Sequence, residues 1–171
     1  MNVRRITEGE VQCLIRRFLL ENGFGLYTKT IKGEPLHYRI AFTNPPRFKR
    51  PDHVAIRRNA VLIFEDKVKY ADLFRGKCSD LEKISSFLNN VQAMSEFRKL
   101  LGNVEPPPRD PLIVGALASF LPNKSSRTIP ESYVYLGIKE GVDGFLVELC
   151  QDASLKRLFE RSLCKISFSE V

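Results

Sequence analysis

The sequence predicts an α/β domain, a mixed central sheet flanked by helices, and three observations carry that expectation. Two segments, Thr7–Asn22 and Ser79–Leu101, open with capping-box spacing (Thr7 with Glu10, Ser79 with Glu82) and then carry apolar residues at helical spacing. Between them the run Val61-Leu62-Ile63-Phe64 is apolar at every position, as in a strand covered on both faces. A further apolar strand, Leu112–Ser119, follows the second helix. The order helix, strands, helix, strand then implies a sheet sandwiched between helices.

In the first helix Val11, Leu14, Ile15, Phe18 and Leu19 form one stripe, and Gly23 is a natural stop. Phe24–Ile31 and Leu36–Phe42 read as extended segments around the turn Gly33-Glu34-Pro35. The stretch Asn44–Pro51 is a stiff basic loop, because its prolines exclude helix or central strand. Asp52–Arg57 and Ala60–Lys67 read as a hairpin around Arg58-Asn59. Leu81, Ile84, Leu88, Val91 and Met94 give the second helix its buried stripe, Gly102 ends it, and a triple proline follows at 106–108. Strands at Tyr133–Ile138 and Gly144–Leu149, a short helix over Asp152–Arg161 and an edge strand at Lys165–Phe168 complete the chain.

With 171 residues and no internal repeat, the chain suits a single domain. Its 12 Phe are enough for a core, and its well-mixed charged residues exclude disorder. No apolar run is long enough to span a membrane, and the basic start Met1–Arg5 is not followed by a signal core. Cys13, Cys78, Cys150 and Cys164 form no C-x-x-C pair, and the only histidines are His37 and His53. That argues against structural zinc and for four separate reduced thiols in a cytosolic (cytoplasmic) protein. The charge is uneven. Residues 1–77 hold 16 Lys and Arg against 8 Asp and Glu, a net of +8, whereas residues 78–171 hold 11 against 12. A cationic face of that kind favours phosphate backbones.

The candidate chemistry lies on the hairpin. If Arg58-Asn59 are its two loop residues, Asp52 stands directly opposite Glu65, and opposed Cβ atoms are about 4.5–5.5 Å apart. Two carboxylates so close repel, and a hard cation bridging them makes the pair favourable. Alternation returns Lys67 to the same face and sends Asp66 to the other, although the Asp66 backbone carbonyl still reaches a cation at the strand end. Two carboxylates, a carbonyl and an ammonium together suit phosphodiester hydrolysis assisted by Mg²⁺ or Mn²⁺.

Pro51-Asp52, a gap of twelve residues, then Glu65-Asp66-Lys67 resembles the PD-(D/E)xK nuclease superfamily, with its restriction-endonuclease-like fold. The resemblance covers roughly residues 7–118, so the remainder, about 119–171, would be a C-terminal elaboration. It implies that Asp52 and Glu65 are metal ligands, that Lys67 is the catalytic lysine, and that Glu10 is the best match to a carboxylate contributed by the first helix. One branch of the superfamily carries Gln-x-x-x-Tyr on the next helix. Here Gln92 is followed by Glu96, so that pattern is absent.

Each residue also has a plainer role available. The capping box explains Glu10 fully, and acids at a helix start such as Asp80 and Glu82 are expected on dipole grounds. Asp66 reads as a polar outer-face residue and His53 as a strand or core residue. Arg47, Lys49, Arg50, Arg57 and Arg58 read as a phosphate-contacting rim beside Asp52, with Lys69, Arg75 and Lys77 flanking the other side. The resulting expectation is a Mg²⁺-dependent endonuclease acting on DNA, with RNA left open and a homodimer possible. The alternative is a non-catalytic nucleic-acid-binding module on the same fold.

Overall fold

The computed structural model describes residues 6–28, 40–41, 48–49, 51–121, 128–150 and 153–171. Helix α1 (Glu8–Glu21) begins at the expected capping box, with Thr7 accepting from the Glu10 amide and Glu10 reaching back to the Thr7 amide. Gly23, at φ +75°, turns the chain out of the helix. Strand β1 (Gly25–Thr28) follows, then two-residue strands β2 (Ile40–Ala41) and β3 (Phe48–Lys49), which among the described residues pair with each other. Strand β2 falls in the expected extended segment Leu36–Phe42 and β3 in the expected proline-stiffened loop, while the expected turn Gly33-Glu34-Pro35 lies outside the described residues. Arg47 and Arg50 lie outside the described residues.

Strands β4 (His53–Arg57) and β5 (Ala60–Lys69) form the expected hairpin, with Arg57 opposite Ala60 and His53 opposite Phe64. Arg58 takes the left-handed conformation (φ +54°) that a tight two-residue turn demands. A 3-10 turn over Tyr70–Phe74, unforeseen in the sequence, leads to α2 (Asp80–Asn89). The single helix expected over Ser79–Leu101 is in fact two. Asn90 leaves the helical region (φ −89°, ψ 108°), and its side chain caps the amide of Ala93 to start α3 (Val91–Leu101). The break changes the buried stripe. Val91 is 85% exposed, while Phe87 and Phe97 meet edge to face at 5.4 Å.

Strands β6 (Leu112–Phe120), β7 (Val134–Glu140) and β8 (Gly144–Leu149) follow. Helix α4 (Ala153–Lys156) is only one turn, because three-residue turns at Leu158 and Phe159 then fold the chain back. Strand β9 (Leu163–Ser167) and a last 3-10 turn end the chain. The seven-stranded sheet runs β1-β4-β5-β6-β7-β8-β9, parallel at β5-β6 and β6-β7 and antiparallel elsewhere.

Alternation along β5 explains its unbroken apolar run. Leu62 and Phe64 pack in the cluster that contains Leu14, Phe18 and other residues of α1. Val61 and Ile63 pack with Phe87, Phe97 and Leu101 of α2 and α3. The sheet is thus covered on both faces, and its functional groups gather at an end rather than on a face. No described helix is long and apolar enough to cross a membrane, and Cys13, Cys78, Cys150 and Cys164 form no disulfide.

Candidate active site

The end of β5 brings together groups that proteins rarely bury. Asp52 is 5% exposed, Asp80 3%, and Glu65 and Asp66 are fully buried. Ionised carboxylates leave water only at a considerable free-energy cost unless charge or hydrogen bonds compensate.

Asp52 lies one residue before β4, where its amide donates to the Phe64 carbonyl at 3.0 Å. The register through His53 and Phe64, carried one step further, sets it opposite Glu65 as the hairpin reading expects. Its carboxylate accepts from the Asp66 amide at 3.0 Å and from the side chain of Gln12, on α1, at 3.3 Å. Glu65 is in register with Leu117 of β6, which packs in the cluster beside α2. Asp66 faces the α1 side, and its carboxylate meets the imidazole of His53 at 2.6 Å. Burial pushes the Asp66 carboxyl above its usual range, and the His53 contact opposes that rise. One Asp66 oxygen, Oδ1, and the His53 Nδ1 are buried with no hydrogen-bond partner among the described residues.

Pairing with β6 slips between Asp66 and Lys69, and Lys67 sits in that irregularity. Such bulges re-aim side chains near sites. The Lys67 ammonium reaches Glu8 of α1 at 2.8 Å and Asp80 of α2 at 3.5 Å. Burial works against its charge. The bond to Glu8 and the negative charges of Asp80, Glu8 and Asp52 outweigh that and hold its pKa well above the ordinary lysine value. Asp80 also holds Lys83, at 3.2 Å. Lys67, Asp72, Arg75, Cys78, Asp80 and Lys83 line an open groove of about 360 Å³ beside this cluster.

Several sequence expectations change here. Glu10 turns back on Thr7, its carboxylate accepting at 2.8 and 3.0 Å, and the α1 acid that reaches Lys67 is Glu8. Glu8 was legible only as a first-turn acid. Its role needs the convergence of the α1 and α2 starts on one sheet end, which spacing along the chain does not reveal. Asp66 lies on the face away from Glu65, as alternation expects, but it is no outer-face residue, because its carboxylate is fully buried against His53. Arg57 and Arg58 are at the opposite end of the hairpin, five or six residues and about 17–20 Å along the strand from Asp52. Arg57 is engaged there by the Leu158 carbonyl and Glu160. Lys49 is in the small ribbon, and Lys69 is exposed at the end of β5.

For a divalent ion, the Asp52 and Glu65 carboxylates and the Asp66 carbonyl are hard oxygen donors. Among the described residues no group of three or more His, Cys, Asp and Glu forms a metal-holding set. That donor set suits Mg²⁺, which keeps most of its waters and takes one or two carboxylates, rather than a closed zinc site. Comparison with known proteins found no matching family model, no matching curated protein and no matching solved structure.

Proposed function

We propose that this chain is a metal-dependent nuclease that hydrolyses DNA phosphodiesters, built on a restriction-endonuclease-like core. The observation that carries the reading is the burial of Asp52 and Glu65 at the matched end of one hairpin, with the Lys67 ammonium in the adjoining bulge. The order α1, antiparallel β1-β4-β5, α2-α3, then β6 parallel to β5 agrees with the core that the sequence motif implies.

Asp52 and Glu65, with the Asp66 carbonyl, would hold Mg²⁺ or Mn²⁺, which when bound supplies positive charge to phosphoryl oxygens and a water of lowered pKa. The chain's own groups do the rest. Gln12 and the Asp66 amide orient the Asp52 carboxylate. Glu8 and Asp80 hold Lys67 as an ammonium, so it donates hydrogen bonds to the phosphoryl oxygens as negative charge develops on them and does not act as the base. The covered sheet faces keep the carboxylates in a low-dielectric setting, where their charge acts more strongly.

Two measurements test this. Titration calorimetry with Mn²⁺ should show binding that Asp52→Ala abolishes. Plasmid cleavage in Mg²⁺ should fall about 100-fold or more in Glu65→Gln and Lys67→Ala, with DNA affinity retained. Full activity in Glu65→Gln would overturn the assignment. DNA binding without metal binding would make the chain a non-catalytic nucleic-acid module.

A further inference from the structure

The sequence points to the loop and hairpin-tip arginines as the phosphate rim, but the tip lies at the wrong end of the sheet. The cations that the sequence reading sets on the other side of the site, Lys69, Arg75 and Lys77, lie between β5 and α2, beside the acids. Between the end of β5 and the first turns of α2 the cations outnumber the acids that reach solvent, which are the partly buried Asp72 and the exposed Glu82. Asp66 and Asp80 are buried, whereas Lys69, Arg75 and Lys77 are exposed. Arg75 is 78% exposed and pairs only loosely with Asp72, at 3.3 Å, a contact of little energetic weight at such exposure. Gly76 makes the turn that presents Arg75 and Lys77. Its φ is +91°, and a Cβ there would meet nothing within 4 Å, so the turn projects into open space. Lys83 closes the other side of the groove, its ammonium tethered by Asp80 through the oxygen not used by Lys67.

We propose that this turn, Lys69 to Lys83, is the surface along which the nucleic-acid backbone runs, with the groove between Lys67, Arg75 and Lys83 taking a phosphate next to the reacting one. The proposal rests on the nuclease reading for its substrate and adds where that substrate lies. Arg75, Lys77 and Lys83 give the charge complementarity. Buried Asp80 keeps two ammonium groups side by side without presenting its own charge to solvent. A phosphate entering the groove meets Lys67, Arg75 and Lys83 together with one partly exposed acid, Asp72, which Arg75 pairs.

The test is equilibrium binding of a short fluorescent DNA duplex in EDTA, so that no cleavage intervenes, across a salt series. Replacing Arg75, Lys77 and Lys83 together by Gln should weaken binding and reduce the slope of log affinity against log salt by about three, roughly one for each phosphate contact. Arg75→Gln with Lys77→Gln alone, both fully surface positions, should remove about two; this pair serves if the triple variant folds poorly. Arg58→Gln at the hairpin tip should leave the slope unchanged. Bound duplex should also slow alkylation of Cys78, which lines the groove, as mapped by mass spectrometry. An unchanged slope in both cation variants, a slope lost in Arg58→Gln, or no duplex binding by the wild-type chain would each overturn the surface. A reduced slope without any Mg²⁺-dependent cleavage would keep the surface and discard the hydrolytic reading.

Discussion

At Lys67 two opposing effects meet. Its side chain is 29% exposed, so burial disfavours the ammonium, while the contact to Glu8 and the charge of Asp80 favour it. The second effect prevails, and the folded pKa lies above the ordinary 10.5. For a group raised in this way, the stabilisation is complete below the unfolded value and is lost only as pH climbs through the folded one. Lys67 therefore contributes a constant amount from neutral pH up to about 10. Lys67→Met should cost about 1–2 kcal/mol, since it strips a charged partner from buried Asp80 and from Glu8 and leaves Asp80 with Lys83. Urea midpoints at pH 7 and pH 9 should show the same deficit. A deficit that vanished at pH 9 would mean that the amine is already neutral there, and the ion-pair account of the site would fail.

At the scale of elements, α2 sets Asp80 against Lys67, and its seat on the sheet depends on one missing side chain. Gly115 of β6 lies beneath α2, where a Cβ would come within 2.5 Å of the Tyr133 ring and 2.6 Å of Ile84. Both neighbours are buried, and β6 is paired on both edges, so neither helix nor strand yields easily. Gly115→Ala should cost about 1–3 kcal/mol by overpacking and, on the proposed nuclease reading, should lower cleavage as well, because lifting α2 withdraws Asp80. Thermal melts and plasmid cleavage measured together check this; an unchanged melt would show that the α2 contact is not tight.

What the sequence reveals at this scale follows from how local each signal is. The hairpin register can be read because the Arg58-Asn59 turn and the apolar run both act within a dozen residues. The capping boxes of α1 and α2 can be read because the partners are three residues apart. The break at Asn90 cannot be read from periodicity, since Leu88, Val91 and Met94 continue the pattern across it. Only the burial of Phe87 and Phe97 beneath β4 and β5 decides where the chain bends. The meeting of Glu8, Lys67 and Asp80 is likewise invisible along the chain, because three separate elements supply one residue each.

Over the whole molecule, α1 links the acidic end of the sheet to the far end, about 21 Å away at 1.5 Å per residue. Glu8 stands at one end. At the other, Phe18 and Phe24 stack against Phe159 from the C-terminal segment, at 5.8 and 5.4 Å. Asn22 accepts from the Arg161 amide at 2.8 Å, and Arg57 of the hairpin reaches the Leu158 carbonyl at 3.1 Å. The C-terminal strands continue the same sheet, and Cys164 and Ile166 share the core cluster of α1. These contacts make the C-terminal segment part of the cooperative unit rather than an appendage to it. Phe159→Ala should then cost about 3 kcal/mol, because the large-to-small change leaves a cavity among three elements. For a chain of this length that lowers the melting temperature by roughly 6–12 °C, in one transition seen alike by far-UV and aromatic circular dichroism. Because Phe159 sits at the end remote from Asp52 and Glu65, the proposed cleavage activity of the folded variant at low temperature should match the wild type. Two separated transitions, or a melt shifted by less than about 2 °C, would show that the C-terminal segment folds independently of the sheet that carries the acids.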